Sequence, residues 1–383
     1  MNDIVGASIA SPKGNMLQIK DLKKYYNNKK VLITGHTGFK GSYMCVLLKY
    51  LGAKVYGYSL KPEKGSLYEL LSKKQKLVAS EVFADIRDVK KLTAFVKKVK
   101  PDYVLHMAAQ PLVLLGYEEP RYTYEVNVMG TVNLMEAIRS LKPATPLSIL
   151  NVTTDKVYEN NDLSNYAFKE NDKLCGRDPY ANSKSCSEIV TYAYEKSFFC
   201  DKDKYRVSTA RAGNVIGGGD LNENRIIPDC YRSIKNKKAM QIRNPKSIRP
   251  YQFVLEPLIL YLNIMALQKV DKKYEGNYNI GPDKKACLTT EVLTKKFFDA
   301  WEKLAVNDDR ARASCPYKVA ASNKLSPHES KFLRLDNSLI KKTFNYKEIF
   351  NMDRTMRYTT KVYYDMLVKN DIYKSILNVI EEI

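Results

Sequence analysis

The chain has 383 residues, 44% of them hydrophobic, and 63 Lys and Arg against 42 Asp and Glu give a formal net charge of +21. That length and apolar content suffice for a sizeable core and exclude a disordered chain. The longest uncharged apolar stretch, Pro257 to Leu267, is shorter than the roughly 18 residues that mark a membrane span.

The lysines are scattered in pairs such as Lys23-Lys24, Lys73-Lys74 and Lys237-Lys238. No continuous basic stripe forms, so they read as a solvated surface whose field favours an anionic small molecule; no nucleic-acid partner and no membrane partner are expected. Seven cysteines occur with no C-x-x-C pair. They read as reduced thiols, with no metal site. The start, Met1-Asn2-Asp3-Ile4-Val5-Gly6, lacks the basic-then-apolar pattern of a secretory signal, and a cytoplasmic protein is the expectation.

Residues 1–27 carry no strong period and read as a flexible extension. Lys30 to Thr34 is a short β-branched run, hence a buried strand. A glycine-rich turn follows, then a helix over Tyr43 to Leu51 closed by Gly52. Strands are expected at Lys54–Ser59, Val82–Ala84, Tyr103–His106, Leu147–Val152 and Arg206–Arg211. Helices are expected at Val89–Lys100, Gly130–Leu141 and Tyr180–Phe198. Strict alternation of strands and helices specifies a parallel sheet covered on both faces. After about residue 217 the rhythm loosens. Helices at Val254–Gln268 and Thr290–Leu304 and short extended pieces suggest a smaller second lobe. Ala305 to Pro327 is polar and reads as a loop. The fold class is therefore α/β, a Rossmann-type doubly wound parallel sheet with a smaller C-terminal α+β substrate lobe.

Three motifs carry chemistry. Gly35-His36-Thr37-Gly38-Phe39-Lys40-Gly41 follows a strand and opens a helix. Glycines there permit a tight turn and close approach of a pyrophosphate, and the helix N-terminus offers unpaired N–H groups. No acidic residue ends the second strand to bind ribose hydroxyls, so composition leaves NAD against NADP open. Asp85, before Ile86, addresses an adenine edge or else caps the next helix. In the second motif, Tyr180-Ala181-Asn182-Ser183-Lys184, the tyrosine and lysine share a helix face. Tyrosine ionises near pH ~10, and a lysine ammonium beside it favours the tyrosinate. The third, Thr153-Thr154-Asp155-Lys156, ends a strand where open α/β sheets place ligands. It offers a hydrogen-bond donor, an acid and a base.

With His106-Met107-Ala108-Ala109-Gln110 and Asn127-Val128-Met129-Gly130-Thr131, these motifs resemble the extended short-chain dehydrogenases. Thr154 to Asn160, Asp178 to Lys184, Ala212 to Asp220, Ile227-Pro228-Asp229, Arg249 to Leu258 and His328-Glu329 resemble the CDP-glucose 4,6-dehydratase family, over about residues 25–370. The resemblance implies NAD as cofactor, held by Gly35, Thr37, Gly38, Phe39, Lys40, Gly41, Asp85, Ile86, Ala108, Ala109, Gln110, Asn127, Thr153, Tyr180, Lys184 and Asn214. It implies a nucleotide-sugar substrate at Gln110, Asn214, Arg225, Ile227, Pro228, Arg249 and Tyr251, and catalysis by Thr154, Asp155, Lys156, Tyr180 and Lys184. Tyr180 takes the C4 hydroxyl proton as hydride leaves, Lys156 the C5 proton, and Asp155 protonates the departing C6 hydroxyl. The product is then CDP-4-keto-6-deoxyglucose.

An epimerase or reductase of the same fold needs only the tyrosine and lysine; the Asp155-Lys156 pair favours dehydration. The implied division places an extension at 1–27, the NAD-binding domain at 28–217 with a returning segment near 252–283, and the sugar-nucleotide lobe at 218–251 and 284–383. A homodimer formed through the helices at 131–141 and 180–198 is also implied. Leu114, Leu115, Leu221, Tyr43, Tyr251 and Phe253 depart from the family's usual arginines, tryptophans and histidine. Most of these are expected near the substrate pocket.

Overall fold

The computed structural model describes residues 15–161, 166–242, 244–283, 287–306, 308, 311, 317–319 and 333–383. Residues 1–14, most of the polar stretch 305–327 and His328-Glu329 lie outside them.

Seven parallel strands form the central sheet. In chain order, β1 is Lys30–Thr34, β2 Lys54–Ser59, β3 Ser80–Phe83, β4 Tyr103–His106, β5 Leu147–Thr154 and β6 Tyr205–Ala212. Three short strands of the second lobe follow: β7 (Asn214–Ile216), β8 (Met240–Ile242) and β9 (Ile248–Phe253). The chain then returns to the sheet at β10, Asn277–Ile280, before β11 (Cys287–Thr289) and β12 (Tyr317–Val319). The spatial order is β10-β6-β5-β4-β1-β2-β3. Side chains alternate across this sheet as a doubly covered layer requires. Val31, Ile33 and Leu105 face one apolar cluster, and Leu32 and Val104 face the other. All C-terminal strand ends therefore open on one edge, where the sequence motifs lie.

The helix Leu255–Val270 is buried along nearly its whole surface. An all-apolar helix is stable only when enclosed. The sheet covers one side, and the helix Ile19–Tyr26 covers the other. The Leu17 backbone N–H donates to Asn263 at 2.7 Å, and the Tyr26 hydroxyl to the Leu262 carbonyl at 2.7 Å. The expected irregular extension is thus corrected over residues 15–27. Ile19, Leu22, Tyr25 and Tyr26 are buried on one face, but two turns are too short for a legible period.

The late chain is also redistributed. Ile340, Phe344, Tyr346 and Phe350, with Ile372, Ile376, Val379 and Ile380 of the helix Ile372–Glu381, join the core cluster of the sheet. The assignment of 284–383 wholly to the second lobe is therefore corrected. The lobe has its own core, with Trp301, Phe297, Tyr231 and Tyr363 at its centre.

Glu256 ties the late segment to the sheet. Its carboxylate accepts from the Tyr346 hydroxyl at 2.7 Å and from the Ile349 and Phe350 N–H groups at 3.0 Å. Burial nevertheless lifts its pKa from 4.5 to about 7. Between these values the folded chain keeps a proton that the unfolded chain has lost, so stability falls as pH rises through that window and is level above it. The loss is about 3 kcal/mol at most. Urea unfolding at about pH 5 and about pH 8 is expected to show this slope in the native chain and a flatter one in Glu256→Gln.

Candidate active site

The glycine loop bends between β1 and the helix Phe39–Tyr50. Gly35 has φ +78°, and a Cβ there would lie 2.7 Å from the Ala108 backbone nitrogen. A Cβ on Gly41 would meet the Gly35 carbonyl at 2.4 Å. Gly38 stands at the helix N-cap and provides no side-chain cap. The first-turn N–H groups therefore remain available to an anion, and the loop fits a dinucleotide pyrophosphate. The Thr37 hydroxyl bonds Ser59 at 2.7 Å, closing the loop onto β2. Phe39 packs edge-on against Tyr43.

At the sheet edge Asp85 is engaged locally. Its carboxylate accepts from the Arg87 backbone N–H at 2.9 Å and from the Arg87 guanidinium at 2.9 and 3.1 Å. The cap of the helix Val89–Val99 is Asp88, which accepts from the Lys91 N–H. The capping alternative for Asp85 is thereby corrected, since Asp88 is the residue that directly precedes the helix. Ile86 is buried, and a Cβ on Gly130 would meet it at 2.7 Å.

Beyond β4, Ala108 donates its N–H to the Thr34 hydroxyl at 3.2 Å, and Ala109 is partly exposed. Two residues expected at the ligand sites have their side chains occupied by structure. The Gln110 amide donates to Thr123 at 2.8 Å and accepts from the Leu112 N–H. Asn127 accepts from the Gln110 N–H at 2.8 Å and donates to Ser183 at 2.9 Å. His106 lies between Thr34 at 2.7 Å and Thr131 at 3.1 Å. Burial, and after it the Lys184 charge, push its pKa down to about 3, so it is neutral.

Tyr180 and Lys184 share the helix Pro179–Ser197, which Asp178 caps by accepting from the Ala181 N–H. Gly116 lets the helix Val113–Glu118 approach: a Cβ there would come within 3.2 Å of the Tyr180 nitrogen. Lys184 Nζ donates to the Val152 carbonyl at 2.9 Å. Burial lowers its pKa to about 8, against the opposing charge of Glu188 and with a smaller push from Lys40. Burial lifts Tyr180 to about 12, partly countered by its hydrogen bond with Thr154.

The short 3-10 turn Asp155–Val157 follows β5 directly. The Thr154 hydroxyl donates to Asp155 Oδ1 at 3.0 Å. Asp155 is 2% exposed, and its Oδ2 has no hydrogen-bond partner. Burial raises its pKa; Lys156, Thr154, Arg249 and Lys40 act against the rise. Lys40 in turn is lowered to about 8 by burial, with Arg225 adding to the shift. The structure therefore brings Lys40, Thr154, Asp155, Lys156, Tyr180, Arg225 and Arg249 into one electrostatic neighbourhood. Only one of these groups is a carboxyl.

The lobe residues are spread more widely. Asn214 pairs with Tyr251 across β7 and β9. Arg225 donates to Asp220 at 3.0 Å. Ile227 is 1% exposed and packs in the lobe core with Tyr251. Pro228 is buried. Tyr43 and Phe253 are both 1% exposed in the core of the sheet, their rings 6.5 Å apart. The Tyr43 hydroxyl donates to the Gly218 carbonyl at 2.8 Å. Their expected place near the substrate pocket is thus corrected: the core beneath the glycine loop takes both rings. Leu114 and Leu221 are exposed.

Sequence reasoning missed Glu188 and Arg211. Glu188 accepts from Arg211 Nε at 2.8 Å and Nη2 at 2.5 Å, and from the Thr153 hydroxyl at 2.5 Å. The available signals were an acid four residues after Lys184, on the same helix face, and an arginine inside an otherwise buried strand.

Comparison with known proteins adds independent evidence. The model of the GDP-mannose 4,6 dehydratase family matches residues 32–359. The CDP-glucose 4,6-dehydratase of Salmonella typhimurium is 41% identical over 322 residues, covering 82% of this chain and 85% of that protein. The dTDP-D-glucose 4,6-dehydratase of Dictyostelium discoideum is 28% identical over 268 residues, covering 67% and 58%. Among solved structures, a dTDP-glucose 4,6-dehydratase from Bacillus anthracis in complex with NAD has a TM-score of 0.68 at 19% identity, covering 91% of this chain and 99% of that one. A UDP-glucose 4-epimerase from Thermus thermophilus, also with NAD, has a TM-score of 0.71 at 21% identity, covering 88% and 99%. These structures share the Rossmann-type fold read from the strand-helix alternation.

Gly35→Ala is expected to cost about 1–3 kcal/mol of stability, because the left-handed φ and the Ala108 backbone both oppose a Cβ. Dinucleotide binding is expected to weaken with it. Chemical denaturation and a dinucleotide titration check both effects.

Proposed function

The chain belongs to the GDP-mannose 4,6 dehydratase family, and from that premise we infer how its own residues carry out the reaction. It is a hydro-lyase that removes water from a nucleotide sugar, with NAD as cofactor. The substrate we assign is CDP-glucose and the product CDP-4-keto-6-deoxyglucose, the assignment supported by the 41% identity over most of both chains. The observation that carries the dehydration reading is Asp155. It is a buried carboxyl with one unpartnered oxygen, raised pKa and a direct link through Thr154 to Tyr180.

The glycine loop, with Lys40 in the first helical turn, would hold the cofactor's pyrophosphate. NAD, when bound, would supply the oxidising equivalent at C4, the reducing equivalent at C6 and the positive charge of its oxidised ring. Tyr180 takes the C4 hydroxyl proton. In the free protein burial keeps it a neutral phenol, so added positive charge is what makes it a base. Lys184, with a pKa of about 8, is still an ammonium at neutral pH. Thr154 donates to the C4 oxygen. The new C4 ketone acidifies the C5 proton, which Lys156 removes. Asp155 gives its proton to the departing C6 hydroxyl, and water leaves. A carboxyl whose pKa burial raises suits that step. Lys156 then returns a proton to C5, the proton taken by Tyr180 replaces the one given by Asp155, and the net change is loss of one water.

The basic groups around the cleft, Lys40, Arg225 and Arg249, supply the positive field that a nucleoside diphosphate requires. Two further parts of the reading concern setting and assembly. Cys45, Cys175, Cys186, Cys200 and Cys230 are thiols, the form that a reducing cytoplasm keeps. Among the described residues no helix is long and apolar enough to cross a membrane. Met129, Ile189, Tyr192 and Phe198 expose large apolar area on and beside the helices Gly130–Arg139 and Pro179–Ser197, and this face is the one we assign to a homodimer.

The test is incubation of the purified protein with CDP-glucose and mass analysis of the product. Loss of one water is expected, with no net consumption of NAD; unchanged mass with altered stereochemistry would instead make the protein an epimerase. Tyr180→Phe is expected to abolish C4 oxidation, whereas Asp155→Asn is expected to oxidise C4 and eliminate water about a hundredfold more slowly. Equal loss of both half-reactions in Asp155→Asn would remove Asp155 from the acid role. Ile189→Arg is expected to shift the sedimentation coefficient towards that of a monomer.

A further inference from the structure

The catalytic turn Asp155–Val157 is anchored at both ends by the same buried ion pair. At its start, the Thr153 hydroxyl donates to Glu188 Oε1 at 2.5 Å. At its end, Arg211 Nη1 donates to the Tyr158 hydroxyl at 2.6 Å, and the guanidinium lies 5.0 Å from the centre of the Tyr158 ring. Glu188 and Arg211 are 3% and 2% exposed and meet through three hydrogen bonds of 2.5 to 2.9 Å. The Tyr158 hydroxyl in turn donates to the Asn279 side-chain oxygen at 2.6 Å, which ties the turn to β10. Between the ends, the Ser185 hydroxyl donates to the Val157 carbonyl at 2.7 Å.

Glu188 also stands one helical turn beyond Lys184, on the helix that carries Tyr180. Lys184 holds the Val152 carbonyl, the residue before Thr153. Helix and turn are thus joined in register: Lys184 to 152, Glu188 to 153, Ser185 to 157, and Arg211 from Glu188 to 158. A buried pair that only stabilised the fold would have no reason to reach both ends of one three-residue turn. Apolar side chains of similar volume fill such a position at equal or lower cost.

We propose that the Glu188–Arg211 pair is a positioning element that holds the acid and base of the elimination step, Asp155 and Lys156, in register with the oxidising residues Tyr180 and Lys184. The role rests on the dehydratase reading above. Neither Glu188 nor Arg211 reaches the reacting atoms; each acts through Thr153 or Tyr158. Because proton transfer needs its groups placed to within a fraction of an ångström, a loosened turn slows elimination while leaving Tyr180 in place.

The experiment compares the full-length protein loaded with NAD with Thr153→Val, Tyr158→Phe, Glu188→Gln and Glu188→Asp, each on CDP-glucose. Appearance of reduced nicotinamide in a single turnover reads C4 oxidation. Its decay, with product mass, reads water loss and completion. Thr153→Val and Tyr158→Phe each remove one anchor and keep the ion pair. Tyr158→Phe is expected to oxidise C4 within about twofold of the native rate, lose water about tenfold more slowly and keep KM unchanged, so that reduced nicotinamide accumulates; Thr153→Val is expected to slow water loss more than C4 oxidation. Glu188→Gln is expected to slow both half-reactions and Glu188→Asp to restore part of each; misfolding of Glu188→Gln leaves the decision with Tyr158→Phe. A folded Tyr158→Phe protein whose two half-reactions slow equally, or not at all, would overturn the proposal. A native protein that removes no water from any nucleotide hexose would sink the functional reading instead, and the positioning role with it.

Discussion

The Glu188–Arg211 ion pair is the interaction on which the site's geometry depends. It sits where the helix Pro179–Ser197 crosses β5 and β6, and it satisfies hydroxyls from both strands: Thr153, and at longer range Thr209. Two ions are costly to bury, and breaking such a pair by removing one partner typically costs about 3–5 kcal/mol. The fold tolerates the pair because each charge is matched in full. Arg211 also donates to the Glu170 carbonyl at 2.8 Å, which draws the loop before the helix Pro179–Ser197 onto the same point.

Around that fixed point, burial sets the protonation pattern. It pulls the two lysines Lys40 and Lys184 down to about 8 and pushes Asp155 and Tyr180 up. Every one of these shifts moves a group towards its neutral form, as desolvation demands. An anionic ligand in the cleft reverses part of the trend for the cations. Substrate binding and protonation state are thereby linked: a site built with excess positive charge and little water holds its lysines charged most firmly when a diphosphate is present.

The departures from the usual family pattern divide by depth. Tyr43 and Phe253 form one packed set with Phe350 and Tyr358 under the glycine loop. A ring changed there is absorbed by its neighbours and by the bond from Tyr43 to Gly218. Leu114 and Leu221 are exposed and have no such partners to constrain them.

The strand-helix alternation, the glycine loop and the Tyr180–Lys184 pair were legible in the sequence because each is a local pattern. Period two, period four and a turn needing positive φ at Gly35 are all written within a few residues. The helix Ile19–Tyr26 was not, since what holds it is a contact between Leu17 and Asn263, 246 positions apart. The arrival of Phe350 and Ile376 in the core of the sheet is of the same kind, whereas the return of the chain at β10 falls within the segment expected near 252–283. The same limit applied inside the site. Sequence placed Gln110, Asn127, Thr153 and Asp85 at the ligand, and only the tertiary structure revealed that their polar groups are engaged by Thr123, Ser183, Glu188 and Arg87. A side chain's chemistry is fixed by its type, but its partner is fixed by which distant strand or helix packs beside it. The sequence by itself thus determined the fold class and the candidate residues of the site; the packing of β5, β6 and the helix Pro179–Ser197 decided how those residues are held.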